Sequence, residues 1–213
     1  VYLGDNVLRK DLTDYTKKFQ TSNSDAMILL CEVDDPPRFG IAELDLDNPG
    51  KIKKIMEKPK DPPSNLAVIG IYFLTPKIFD IIDNLKPSWR GELEITEALD
   101  LLMNQGNKIE YDTVTGWWKD TGTPEDIIHA NKLVLDSIGT ENQFLIDSNA
   151  EIKDNIVIGN GSTISRDSFI TGPVIIGKNC RIGPAVRIGP YVSIGDNCTL
   201  KRCDIEDSII MTN

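Results

Sequence analysis

The spacing of apolar residues changes several times along this chain. Leu8, Leu12, Tyr15 and Phe19 recur every three to four positions with polar residues between them, which predicts an amphipathic helix over 7–20. The stretch 26–33 is then almost wholly apolar, as a strand buried on both faces should be. Further strands are predicted at 39–46, 51–58 and 66–74, separated by Pro36-Pro37, Pro49-Gly50 and Pro62-Pro63. Helices follow at about 76–84 and 92–105. The second turns Ile95, Ala98, Leu99, Leu102 and Met103 inward and stops at Gly106. One more strand, about 108–115, leads to Trp117-Trp118. The last helix opens with Thr123 as N-cap and Pro124 in its first position, has Asp126 three residues after the cap, and runs to about Ile138. Strands alternating with helices predict an α/β sheet domain. Because the chain opens on a strand of three residues, that domain is expected to continue upstream.

From residue 150 the period becomes six. The third place of each hexapeptide is Ile152, Ile158, Ile164, Ile170, Ile176, Ile182, Ile188, Ile194 and Leu200. Gly159, Gly177, Gly183, Gly189 and Gly195 follow five of these, and Ala150, Ile156, Val174, Cys180, Val186, Val192 and Cys198 occupy first places. Six fits neither a helix nor a simple alternating strand. It fits a short strand and a tight turn repeated around a prism, three repeats to a coil, with the aliphatics stacked inside. The glycines are expected at corners that need positive φ. Cys180 and Cys198, eighteen residues apart, are expected one above the other as small apolar residues rather than as a disulfide.

Composition narrows the function. The 213 residues are 40% hydrophobic and 26% charged, as in an ordinary globular chain, and no apolar run approaches the ~18 residues a membrane span needs. The N-terminus has no basic and apolar leader, so a cytoplasmic protein with no membrane partner is expected. The net charge of −10 lies wholly in the first 149 residues. An acidic chain argues against nucleic acid as a partner, but not against a phosphorylated small molecule, which one or two Lys, backbone N–H groups or a metal can hold. The four cysteines lack CxxC spacing. His129 is the only histidine and lies outside the repeat, so acyl transfer with a His base in the repeat is not expected; His129 itself reads as a surface or packing residue.

Candidate chemistry falls on loops after strands. Asp5, in Gly4-Asp5-Asn6, follows an apolar strand, and Asp120, in Lys119-Asp120-Thr121-Gly122, follows another. Each alone could be a helix-capping or surface residue. Together they could hold one or two hard cations such as Mg²⁺, which take few carboxylates and complete their shell with phosphate oxygens. Glu57-Lys58-Pro59 offers an acceptor for a hydroxyl beside a point charge for a phosphate, although a solvated surface pair would look the same. Ser64-Asn65, Gly70, Tyr72 and Arg38-Phe39-Gly40 add hydrogen-bonding side chains and close-approach glycines.

Taken together, six segments resemble the sugar-1-phosphate nucleotidylyltransferases: Gly4-Asp5-Asn6, 35–43, Glu57-Lys58-Pro59-Lys60, 64–73, 90–96 and 117–123. The match is most similar to the long type of glucose-1-phosphate thymidylyltransferase, and the repeat resembles the hexapeptide left-handed β-helix. The resemblance implies an α/β fold. A truncated nucleotide-diphospho-sugar transferase domain, Rossmann-like, would occupy 1–138, with a linker at 139–149 and a left-handed parallel β-helix at 150–213. It also implies that Asp5 and Asp120 bind the metal and that Glu57 receives the sugar hydroxyls. Lys58 would contact the sugar phosphate, Gly40, Asn65, Val68 and Tyr72 would line the pocket, and Trp118 would lie beside it.

The implied reaction transfers a nucleotidyl group. An oxygen of the sugar 1-phosphate attacks the α-phosphorus of a nucleoside triphosphate and pyrophosphate leaves, with Lys58, Asp5 and Asp120 as the catalytic groups and Mg²⁺ as cofactor. The expected substrates are glucose 1-phosphate and dTTP. A UTP-dependent uridylyltransferase for glucose or N-acetylglucosamine 1-phosphate is the near alternative, a mannose-1-phosphate guanylyltransferase a more distant one, and a non-catalytic regulatory subunit an alternative from another class. The family's Gly-rich, Arg-bearing loop does not occur in the sequence. The chain therefore reads as a C-terminal fragment that lacks roughly 100 residues, holds the sugar half of the site and does not turn over alone. An open coil end exposes strand edges, so cover by the catalytic domain or a second copy, and hence a homo-oligomer, is expected.

Overall fold

A computed structural model describes residues 1–138, 145–146 and 150–212. The chain divides into two compact units, Val1–Trp118 and Lys119–Asn213. The first is built on a five-stranded mixed sheet. Its strands are β2 (Ala26–Glu32), β3 (Gly40–Leu44), β4 (Ile52–Glu57), β5 (Leu66–Leu74) and β6 (Ile109–Thr113), in the order β4-β3-β5-β2-β6. β2 and β6 are parallel, and the other neighbours are antiparallel. β5 pairs with β3 only at its start. Along its second half it takes residues 1–3 instead, with the Leu3 N–H donating to Gly70 O at 2.8 Å and the Tyr72 N–H to Val1 O at 2.9 Å.

The apolar run of β2 divides by alternation between two cores, as a strand covered on both faces must. Ala26, Ile28 and Leu30 join Val68 and Tyr72 under helices α2 (Lys77–Ile82) and α3 (Ile95–Asn104). Met27 and Leu29 join Ile69 and Ile71 on the other face, against Tyr15 and Phe19 of helix α1 (Thr13–Thr21). That helix is shorter than its apolar spacing predicted. The strand β1 (Asn6–Leu8) precedes it, and the Arg9 N–H donates to Trp117 O at 3.2 Å. Leu8 and Leu12 still pack on the same core from outside the helix, which is why the helical period extended through them.

The second unit begins within β7 (Trp118–Asp120), at Lys119, and continues into α4 (Pro124–Asp136), followed by a parallel β-solenoid. Thr123 caps α4, its Oγ1 accepting the Asp126 N–H at 3.2 Å. His129 is exposed on this helix. The expected linker, 139–149, lies outside the described residues except for the strand Leu145–Ile146. The solenoid has three faces of four strands each. Ile164 pairs with Ile182 and Ile182 with Leu200, Ile170 with Ile188, and Ile176 with Ile194, so residues eighteen apart stack. The six-residue frame stops at Leu200 because the next segments are shorter. Ile188 pairs with Ile205 and Ile194 with Ile210, while Cys203 takes an inner place. Cys180 and Cys198 are buried thiols whose S–H groups donate to Gly195 O and Met211 O.

The glycines do not all serve the turn geometry expected of them. Gly183 and Gly189 have φ of +102° and +97°. Gly159, Gly177 and Gly195 do not; each lies against the next coil, and a Cβ on Gly159 would come within 2.6 Å of Gly177 C. Positive φ at other corners is carried by Asn179, Ala185, Tyr191 and Asn197. On one face the outward column is Val157, Ile175, Ser193 and Ile209, more apolar than the Thr163, Arg181 and Thr199 of another. Helix α4 accounts for this, because it bonds to that face through Asn131, whose amide reaches Tyr191 O at 3.4 Å and accepts from Ser193 Oγ at 2.5 Å.

Candidate functional site

Glu57 ends β4 directly opposite Gly40, the first residue of β3. Its carboxylate accepts a hydrogen bond from Thr96 Oγ1 at 2.8 Å and lies 3.5 Å from an Arg90 guanidinium nitrogen. Arg90 also reaches Glu94 at 3.2 Å and Glu92 at 3.0 Å, and Ser88 Oγ donates to Glu94 at 3.0 Å. Glu94 and Thr96 are buried polar residues at the start of α3, and this network satisfies them. Gly40 has no room for a side chain, since a Cβ would come within 2.6 Å of Thr96 Cγ2, 3.3 Å of Glu57 Oε2 and 3.8 Å of Val68 Cβ. Gly40, Glu57, Val68 and Thr96 therefore form one patch.

Tyr72 lies on the same sheet face as Val68 and is 6% exposed. Burial pushes its phenol up to about 12, and the charges of Glu57 and Asp5 push in the same direction. Asp5 follows residues 1–3 and is oriented by Asn6, whose Nδ2 donates to Asp5 Oδ1 at 2.8 Å. The other end of that amide binds two donors: Trp118 Nε1 at 2.7 Å and the Gly70 N–H at 3.3 Å. Tyr2 completes the hub by donating its hydroxyl to Asn6 O at 2.6 Å. Gly70 permits this approach, because a Cβ there would lie 2.5 Å from Asn6 Nδ2 and 2.9 Å from Leu3 Cδ1.

Lys58, half-buried, follows β4 with φ of +39°, and its N–H donates to Phe39 O at 3.1 Å. The Phe39 ring meets Trp118 edge-on at 5.6 Å. Backbone and rings thus connect Lys58 to the wall that contains Trp118 and Asn6. Asn65 is placed differently from the other expected pocket residues. It is exposed ahead of β5, its carbonyl taken by the Val33 N–H at 3.0 Å. At ~3.3 Å per residue it stands about 23 Å along the strand from Tyr72. Asp120 belongs to the second unit, half-buried at the end of β7, with Gly122 close to its Oδ2. Among the described residues no group of three or more His, Cys, Asp or Glu side chains converges as a metal site. Asp5 is exposed and held by a neighbouring amide, which suits a hard cation that keeps most of its shell for phosphate oxygens.

Four residues around the patch and the Asn6 hub carried no assigned role in the sequence: Asn6, Arg90, Glu94 and Thr96. All lie inside the resembling segments. Asn6, Glu94 and Thr96 are marked by burial of a polar side chain, and Arg90, only partly buried, by its ion pairs to Glu57, Glu92 and Glu94.

Residues 1–137 match the family model described as nucleotidyl transferase. The chain belongs to that family. Residues 173–203 match the bacterial transferase hexapeptide model of six repeats. A low-salt glycan biosynthesis nucleotidyltransferase, Agl11, from Haloferax volcanii is 45% identical over 156 residues, covering 73% of this chain and 43% of that protein. A glucose-1-phosphate thymidylyltransferase from Streptomyces antibioticus is 39% identical over 99% of this chain and 58% of its own length. The chain thus spans about half the length of these relatives. Among solved structures, a UDP-glucose pyrophosphorylase complexed with UDP-glucose is similar at a TM-score of 0.57 and 30% identity, over 65% of this chain and 56% of that one. Among the described residues no helix is long and apolar enough to cross a membrane.

Proposed function

We propose that this nucleotidyl transferase chain carries the sugar-phosphate side of a site that transfers a nucleotidyl group from dTTP to glucose 1-phosphate, releasing pyrophosphate. The observation that carries this reading is the Glu57 carboxylate held by Thr96 and Arg90 over a glycine floor at Gly40. A fixed carboxylate over a bare backbone can take sugar hydroxyls without a competing side chain. In this reading Lys58 offsets the charge of the attacking phosphate, Val68 and Tyr72 line the sugar, and Trp118 closes one wall. Asp5 and Asp120 are the carboxylates offered to Mg²⁺, which when bound supplies neutralisation of phosphate charge. Asn65, exposed and distant from Tyr72, has the weakest support as a lining residue. A homo-oligomer belongs to the same reading, because the open ends of a solenoid expose strand edges.

Calorimetry with glucose 1-phosphate tests the proposal directly. The chain is expected to bind it, and Glu57→Ala to weaken binding by about 10- to 100-fold, the range for losing a hydrogen bond to a charged group. No binding, or an unaffected variant, overturns the reading. Uridylyl specificity is the second reading, favoured by the 41% identity over 126 residues to the UTP–glucose-1-phosphate uridylyltransferase AglF of Haloferax volcanii. Turnover with dTTP against UTP, measured in a chain of the relatives' full length, separates the two.

A further inference from the structure

Asp120 sits at the head of a helix that the solenoid holds along its far half. The first turn of α4 is tied back to the Asp120 segment. Lys119 pairs with Asp126 at 2.5 Å, Thr123 Oγ1 donates to the same carboxylate at 2.8 Å, and a Cβ on Gly122 would come within 3.2 Å of Asp120 Oδ2. Farther along, successive turns of the helix grip two coils. Asn131 exchanges hydrogen bonds with Ser193 Oγ and Tyr191 O. Lys132 pairs with Asp207 at 2.8 Å and lies over the Tyr191 ring at 5.2 Å, and the neighbouring Asp136 carboxylate pushes the Tyr191 phenol up. All of these residues belong to the same compact unit, which begins at Lys119. A helix transmits position along its axis because its backbone bonds allow little independent movement of one turn.

We propose that the solenoid positions Asp120 through α4, with Asn131 and Ser193 as the positioning pair. The solenoid is then the platform for one carboxylate of the site as well as a repeat that buries its own core. The proposal deepens the functional reading given above and rests on it only in naming Asp120 as a Mg²⁺ ligand. It also explains the exceptional outward column: Ser193, between Ile175 and Ile209, supplies the one hydroxyl that Asn131 needs.

Hydrogen exchange on the 213-residue chain tests the coupling without any activity measurement. In Asn131→Ala and Ser193→Ala the amides of 120–126 are expected to exchange about tenfold faster. The strands Val174–Ile176 and Arg181–Ile182 should stay protected as evidence of a folded solenoid, and Ser193→Thr, which keeps the hydroxyl, should restore slow exchange. Faster exchange confined to 129–136, with 120–126 unchanged, overturns the proposal. Mn²⁺ binding followed by electron paramagnetic resonance gives a second readout: Ser193→Ala should weaken it severalfold and Ser193→Thr should not. If Asp120→Asn leaves Mn²⁺ affinity unchanged, the assignment of Asp120 as a ligand fails, while the exchange result still decides whether the solenoid positions it.

Discussion

In the solenoid the neighbour of a residue is found eighteen positions away, as with Ile164, Ile182 and Leu200; in the sheet unit neighbours follow no such rule. Ala67 of β5 pairs with Cys31 on one side and Ile41 on the other. Chemistry follows the same division. The solenoid interior is aliphatics and thiols with two buried serines, Ser162 and Ser168, whereas the sheet unit gathers Arg90 with Glu57, Glu92 and Glu94 around one glycine floor. Repetition makes every rung a similar solution to burial and leaves little room for a singular arrangement of charges. The irregular sheet permits one. Because solenoid rungs contact only adjacent rungs, damage should also spread differently in the two units.

The largest expected effect tests that spread. Ile182→Ala and Leu99→Ala each remove a fully buried aliphatic side chain and should each cost about 2–5 kcal/mol in denaturant unfolding. The difference should lie in the pattern of lost exchange protection. For Ile182 it should centre on the partner rungs at Ile164 and Leu200; for Leu99 it should extend across the sheet face shared by β2, β4 and β5. An even loss over the whole solenoid would break the comparison.

The next effect belongs to the sheet unit alone. Tyr72 keeps its proton to about 12, against 10.0 for an ordinary tyrosine, mainly because it is buried. The folded state therefore retains a proton that the unfolded chain loses above pH 10. Stability contributed by Tyr72 is complete below pH 10, falls as pH rises towards 12 and is gone above it, by about 3 kcal/mol in all. Tyr72→Phe should remove this alkaline slope, measured as denaturant midpoints from pH 9 to 12.5. An unchanged slope would show that other groups produce it.

Much of this was legible in advance, for reasons that differ between the units. The hexapeptide frame located the rungs because each inner position repeats one physical requirement. It stopped at Leu200 because Cys203, Ile205 and Ile210 enter at shorter spacing. In the sheet unit the nearly unbroken apolar run of β2 gave a strand covered on both faces, but the helix predicted from Leu8 began only at Thr13, since Leu8 and Leu12 keep a helical spacing while packing from outside the helix. Gly40, Glu57 and Val68 were found by motif and do lie together. Asn6 and Thr96 were not assigned roles, because their importance comes from contacts 112 and 39 residues away, to Trp118 and Glu57. No local pattern records such distances.

Glycine gives a smaller and sharper test. Gly177→Ala would drive a Cβ to 2.7 Å from backbone atoms of the next coil, which must move, so a loss of about 1–3 kcal/mol is expected. Gly50, in the β3–β4 connection, has open space around it but φ of +89°. Its replacement by Ala should cost only the backbone term, about 1 kcal/mol. If Gly177→Ala proves the milder of the two, close approach between coils is not what selects glycine there.

The smallest effect compares two helix starts. At α4 the Thr123 hydroxyl accepts the Asp126 N–H and also donates to the Asp126 carboxylate, so Thr123→Ala removes both bonds at once. A cost of about 1 kcal/mol is expected in thermal or denaturant unfolding. At α1 the N-cap position is Leu12, which makes no side-chain bond, and the covering acceptor is Asp11, bonded to the Thr13 N–H at 2.8 Å. Asp11 is exposed and lies outside the helix, so Asp11→Ala should cost less than Thr123→Ala. The Asp11 carboxyl is held below its ordinary value by its bonds to Thr13. Its contribution is therefore present above pH 4 and disappears as pH falls through the lowered value. Thr123, which does not titrate, should show its deficit on both sides of that window. Measuring both variants at pH 7 and pH 3 separates the cap that is a hydroxyl from the cap that is a charge: the Asp11→Ala deficit should shrink markedly at pH 3, and a deficit as large at pH 3 as at pH 7 would mean that the carboxylate is not what covers the start of α1.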